Sequence, residues 1–232
     1  MKKTDSNLVL LSMVFAISLI IANMVTAKLF ITPISLFGVP ITLPGAVFCY
    51  TITFLMTDVI GEIWGAERAN RTVKFGFIVQ ILASILILLT QFLPATDPEM
   101  QKAYEMLLGQ NWIFVIGSLT AYACSQTWDV FFFHKIRNRY IQKHKTTKGG
   151  KWIWNNLSTM TSQIIDTIIF ITISFGLGFG WLFNREMWPV LGAMIVGQYV
   201  FKFLLALIDT PIFYLLTKNS PAIIYHKVIN KK

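Results

Sequence analysis

Charge is scarce in this chain: Asp, Glu, Lys and Arg make up 13% of its 232 residues, against roughly 25% in soluble domains. That shortage excludes a globule that stays dissolved behind an ordinary charged surface. Acids are the rarer sign, 11 against 20 basic residues, leaving a net charge of +9. There are two cysteines, Cys49 and Cys124, both inside apolar stretches. They supply neither a disulfide framework nor a metal-ligand spacing. The three histidines, His134, His144 and His226, all lie at or beyond the edges of the apolar segments. The sequence has no H-E-x-x-H, no G-x-S-x-G and no phosphate-binding glycine loop. The chain therefore reads as a non-enzyme with no cofactor and no metal site.

Apolar length is what the sequence has in abundance. Hydrophobic residues reach 55% and the mean hydropathy is +0.61. A helix crosses the roughly 30 Å hydrocarbon layer with about 20 apolar residues. Six segments meet that length, at about 8–28, 44–64, 74–93, 107–133, 154–179 and 188–216. The expected fold is all-α: a polytopic membrane protein with six transmembrane helices, forming a single domain over 1–232 in contact with the lipid bilayer. The first segment is too long for a signal-peptide core and lacks an A-x-A-like site, so it is read as retained. Between the first two spans, Pro33, Gly38, Pro40 and Pro44 predict a loop. The 94–106 segment predicts a turn followed by a short amphipathic helix with Pro98 near its start.

The basic residues fix an orientation. Lys2 and Lys3, then Arg68, Arg71 and Lys74, then Lys135 to Lys151, then Lys218 to Lys232 place sixteen of the 20 Lys and Arg on one side of a six-span chain. Positive residues mark the cytoplasmic side. Both termini are thus expected in the cytoplasm, in a multi-pass protein of the bacterial cell (inner) membrane. The same asymmetry accounts for the net charge without a nucleic-acid partner, the 135–151 cluster serving topology beside anionic headgroups.

Ionised groups within the spans cost about 2.5–3.5 kcal/mol each on insertion scales, so they face a bundle interior or a water-filled cavity. Asp58, Asp129, Asp166, Lys202 and Asp209 are of this kind, with Glu62 near the boundary. Spans four and five both contain S-Q-x-x-D, as Ser125-Gln126-Thr127-Trp128-Asp129 and Ser162-Gln163-Ile164-Ile165-Asp166. In each copy Gln and Asp share a helix face. The two spans run in opposite directions, so the element is presented twice with inverted polarity, as in transporters that hold substrate between inverted repeats. Lys202, deep in span six, is expected to pair with an acid on another helix, Asp166 being nearest in depth. Trp128 and Tyr199 lie beside this polar face and could cover a flat ligand. Asn23 marks the opposite end of span one. Thr51, Thr53, Ser84, Ser118, Thr120, Gln80 and Gln91 read as hydrogen-bonding glue between helices, modest at about 0.6 kcal/mol per contact.

A resemblance sharpens this reading. Thr57-Asp58-Val59-Ile60-Gly61-Glu62-Ile63-Trp64-Gly65 resembles the T-D-x-x-x-E-x-x-G element of the vitamin-uptake-type family of queuosine precursor transporters. Ala121-Tyr122 with Gln126-x-x-Asp129 and His134-Lys135-Ile136-Arg137, then Ser162 to Thr167, and Tyr199-x-x-Lys202 are similar to its later helices. The resemblance implies a compact six-helix bundle related to the substrate-binding components of energy-coupling-factor importers. It also implies uptake of 7-cyano- and 7-aminomethyl-7-deazaguanine for salvage into tRNA queuosine. The substrate-binding residues expected are Asn23, Asp58, Gln126, Trp128, Asp129, Gln163, Asp166, Tyr199 and Lys202. A homo-oligomer or importer partner subunits stay open, as does a second reading, the capture subunit of a multi-protein importer for another small vitamin-like compound.

Overall fold

The computed structural model describes residues 1–36, 38–144 and 151–217, without the side chains of Arg137, His144, residues 151–156, Ala206, Leu207, Asp209 and Thr210. Lys145, Lys148, His226 and the basic tail from Lys218 lie outside the described residues, as does the side chain of Asp209.

Helix dominates. In chain order come α1 (Asp5–Val25), strands β1 (Leu29–Leu36) and β2 (Val39–Pro44), α2 (Ala46–Trp64), α3 (Ala66–Gln91), α4 (Pro98–Leu108), α5 (Asn111–His144), α6 (Lys151–Ile171) and α7 (Trp188–Thr217). A π-helical turn, Thr172–Leu177, continues α6, and two short 3-10 turns, Trp181–Phe183 and Arg185–Met187, lead into α7. Among the described residues six helical stretches are long and apolar enough to cross a membrane, the fourth made of α4 and α5 together. This agrees with six spans and a multi-pass membrane protein.

The packing of α3 has the pattern expected of a helix set in hydrocarbon. Thr72, Gly76, Gln80 and Ser84, spaced four apart, are its buried residues. Phe75, Ile78, Leu82, Leu86 and Leu89 are exposed. A soluble helix buries its apolar stripe and wets its polar one. This helix does the reverse, as it must when its surroundings are hydrocarbon.

Several boundaries differ from expectation. The third span starts at Ala66, not 74, because Gly65 alone joins α2 to α3. Its φ of 94° and ψ of 160° belong to a region essentially reserved for glycine. Arg68, Arg71 and Lys74 therefore sit in the opening turns of α3 rather than in a loop, and Arg71 donates to Glu67 at 3.2 Å on the exposed surface. The predicted loop after span one is a hairpin of β1 and β2, turning at Gly38 with φ 79°. Its Ile- and Thr-rich strands have the β-branched content that favours extended chain. The short outer helix appears as α4, with Asp97 as its N-cap accepting from the Glu99 amide at 2.9 Å and Pro98 in its first turn. Within the fourth stretch α5 begins at Asn111, after Gly109 closes α4. At its other end α5 carries on to His144, so Lys135, Arg139 and Lys143 are helical residues.

The chain divides into two compact units: Met1–Pro33, Thr42–Val115 and Val200–Lys232 form the first, and Ile34–Ile41 with Ile116–Tyr199 the second. In the first, Leu11, Phe15 and Leu19 of α1 pack on Leu55, Met56, Val59, Ile60 and Ile63 of α2. Ser12 of α1 meets Thr72 of α3 at 3.1 Å, and Gly76 lets Phe15 and Leu19 approach the α3 backbone. These contacts make α1 and α3 parallel neighbours. The Met1 ammonium donates to the Leu216 carbonyl, so the start of α1 and the end of α7 lie at one face of this unit. In the second unit Phe175 packs among Phe170, Phe179 and Trp181. A Cβ on Gly117 would sit 2.6 Å from the Ser174 hydroxyl, which ties this position of α5 to the π-helical turn.

Candidate functional site

α5 and α6 bring the two S-Q-x-x-D segments together. The Ser162 hydroxyl shares its one proton between Asp129 Oδ1 at 3.3 Å and the Thr159 carbonyl at 3.0 Å. One residue earlier on each helix, Trp128 Nε1 donates to Thr161 Oγ1 at 3.2 Å. The first copy of the element thus touches the second through its own acid. The antiparallel register that sets Ser162 opposite Asp129 sets Ser125 level with Asp166. The repeat is therefore reciprocal in register, with the backbone positions of the two aspartates about 6 Å apart along the axis, four residues at about 1.5 Å each.

The surroundings suit exchange with a ligand more than sealed packing. Asp129 and Asp166 are half-buried, Gln163 is half-buried and Gln126 is exposed. Trp128 lies on Phe132, ring centres 5.4 Å apart and nearly parallel, and keeps 37% of its surface exposed. Tyr199 is half-buried on α7, and its neighbour Gln198 is fully buried with no partner for Oε1. Gln198 was missed in the sequence; an amide beside Tyr199 in an otherwise apolar turn was the available signal. A carboxylate is an acceptor-only group that can take two adjacent N–H donors at once. Two such groups, each with an amide one turn away, can read the donor edge of a small planar ligand.

The other expected residues are placed separately. Gln126, Trp128, Asp129, Gln163, Asp166 and Tyr199 belong to the second unit, Asn23, Asp58 and Lys202 to the first. Asp58 is exposed and Glu62 half-buried on α2, and Lys202 is half-buried on α7. Asp58, Glu62, Asp166 and Lys202 are each engaged in a polar or electrostatic interaction. Asn23 is 1% exposed, its Nδ2 donating to the Leu19 carbonyl of its own helix. Thr51 and Thr53, expected to knit helices, bond back to the Val47 and Tyr50 carbonyls within α2. A short hydroxyl reaches the preceding turn more readily than a neighbouring helix. Ser84 does join α3 to α5, through Asn111. Among the described residues no group of His, Cys, Asp and Glu is placed to hold a metal ion.

The chain matches a family described as "putative vitamin uptake transporter" over residues 44–216. It is 31% identical over 189 residues to a protein of Bacillus subtilis (strain 168) named "Probable queuosine precursor transporter", covering 81% of this chain and 76% of that relative. No solved structure matches it. The matched stretch contains both S-Q-x-x-D segments, Asp58 and Lys202, and leaves out Asn23.

Proposed function

The chain belongs to the vitamin uptake transporter family, and from that premise we propose that it imports queuosine precursors, 7-deazaguanine bases salvaged for tRNA queuosine. The named relative is described as a transporter of that substrate class. What carries the reading to named residues is the contact between the two inverted S-Q-x-x-D segments, made by Ser162 on Asp129. A guanine-type edge presents an amino group next to a ring N–H, and one carboxylate accepts from both. Gln126 and Gln163 serve the carbonyl and ring-nitrogen positions, and Trp128 or Tyr199 covers the ring face. The second carboxylate suits the ammonium of an aminomethyl substituent. Asp58 and Lys202, which belong to the first unit, are further polar groups within the spans whose substitution an uptake assay can test.

The whole chain acts as one transmembrane domain, of the kind that captures substrate in energy-coupling-factor importers. It lies in the bacterial inner membrane with the basic ends in the cytoplasm, following the distribution of Lys and Arg. It moves substrate without catalysing its conversion.

Uptake of radiolabelled 7-deazaguanine base by proteoliposomes holding only this protein tests the proposal. Saturable accumulation, competed by unlabelled base, is expected. Tight binding of the base with no accumulation would instead make the chain a capture subunit that needs partner proteins. Neither binding nor accumulation would overturn the substrate class.

A further inference from the structure

The first unit contains a second polar cluster, away from the acidic pair. Gln80, Asn111 and Ser84 are 2%, 2% and 7% exposed. Gln80 Nε2 and Asn111 Nδ2 both donate to the Ser84 hydroxyl, at 3.4 and 3.0 Å, while that hydroxyl donates to the Gln80 backbone carbonyl at 3.1 Å. Ser84 has spent its proton on the backbone and its lone pairs on two amides. Turning either amide over would set a carbonyl oxygen against an oxygen with no hydrogen to give. The amide orientations are therefore fixed by the network, with Gln80 Oε1 and Asn111 Oδ1 directed away from Ser84. Both oxygens are buried and without a partner.

A third oxygen joins them by register. Ser12 against Thr72, and Phe15 and Leu19 against Gly76, carry Asn23 to the level between Gln80 and Ser84, one turn further along the parallel pair α1 and α3. Asn23 Nδ2 is held by the Leu19 carbonyl, and its Oδ1 is likewise buried and unpartnered. Three amide carbonyl oxygens on α1, α3 and α5, each locked through its nitrogen, are left as acceptors alone.

We propose that these oxygens bind one alkali-metal cation. Buried acceptors without donors are costly, and nature rarely leaves three on one level. Calcium and magnesium sites are built around carboxylates, and none occurs here. A singly charged ion suits neutral carbonyl oxygens, the ligand type that replaces hydration water in cation pathways. The site would draw α1, α3 and α5 together, and in an importer it supplies a place where ion binding couples to transport.

Thermal unfolding of the detergent-purified protein, without substrate, tests this independently of the uptake reading. Sodium, potassium and lithium chlorides are compared with choline chloride at equal ionic strength. At saturation one alkali cation should raise the Tm by about 5–10 °C. Asn23→Leu, which removes the oxygen supplied by α1 at nearly unchanged shape, should raise the half-saturating concentration at least roughly tenfold. Gln80→Leu should abolish the shift; if that variant does not fold, the wild-type and Asn23→Leu titrations decide. No difference between alkali cations and choline in the wild type would overturn the proposal, as would an unchanged half-saturation in Asn23→Leu.

Discussion

Asp129 and Asp166 each place a carboxylate where a methyl group would cost less, about 2.5–3.5 kcal/mol less on insertion scales. That cost is offset only by what the charge does, so we expect Asp129→Asn and Asp166→Asn to abolish uptake. Both proteins should still reach the membrane in normal amounts, which quantitative immunoblotting checks alongside transport. Ser162→Ala removes the hydroxyl that holds Asp129. A hydrogen bond to a charged group contributes about 1.5–3 kcal/mol, so KM should rise roughly tenfold or more with abundance unchanged. The acids were legible in the sequence because a charge in an apolar run stands out by itself. Ser84 was legible as glue between helices, but its partner Asn111 was not: a neutral polar residue is unremarkable in sequence, and only the packing of α3 on α5 shows that its side chain has been sealed in. Trp128 was legible as an aromatic beside the polar face, but its anchoring to Thr161 depends on a helix neighbour no spacing could name.

At the scale of elements, the spans followed from length and hydropathy, which depend on the bilayer and not on tertiary detail. Their ends depended on single residues. Gly65 turns the chain directly from α2 into α3 in a conformation that costs other residues about 1–3 kcal/mol. Gly65→Ala should therefore lower the Tm of the purified protein by several degrees while leaving the substrate's apparent affinity nearly unchanged. Glycine inside T-D-x-x-x-E-x-x-G thus has a backbone reason, separate from Asp58 and Glu62. Gly76 has a packing reason: a Cβ there would lie 3.0 Å from Phe15 Cδ1, in the core between α1 and α3. Gly76→Val should destabilise by about 1–3 kcal/mol, and a compensating Phe15→Leu should recover part of it. The β1–β2 hairpin escaped the sequence because its strands are interrupted by Pro33 and Pro40 and bounded by apolar spans. Prolines that read as loop punctuation are tolerated on strands with a free edge.

For the molecule as a whole, α5 alone is about 50 Å long, 34 residues at about 1.5 Å each, against a hydrocarbon layer of roughly 30 Å. Its basic end, with Lys135, Arg139 and Lys143, therefore extends well past the apolar core. Single cysteines at positions 99 and 143, in a background where Cys49 and Cys124 are replaced, report the topology. A membrane-impermeant maleimide on whole cells should label 99 and spare 143; the opposite pattern would invert the proposed orientation. The direct contact between Met1 and Leu216 already requires that the first and last spans open on the same face.

The central claim is that this chain carries a 7-deazaguanine base across the membrane using Asp129 and Asp166. The most direct measurement is queuosine in the tRNA of a strain that can neither make the precursor nor import it, supplied with external 7-cyano-7-deazaguanine at low concentration. Expression of the wild-type chain should restore queuosine, and the Asp129→Asn and Asp166→Asn proteins, at equal membrane abundance, should leave tRNA unmodified. Unmodified tRNA with the wild-type chain, or full modification with both variants, would contradict the account.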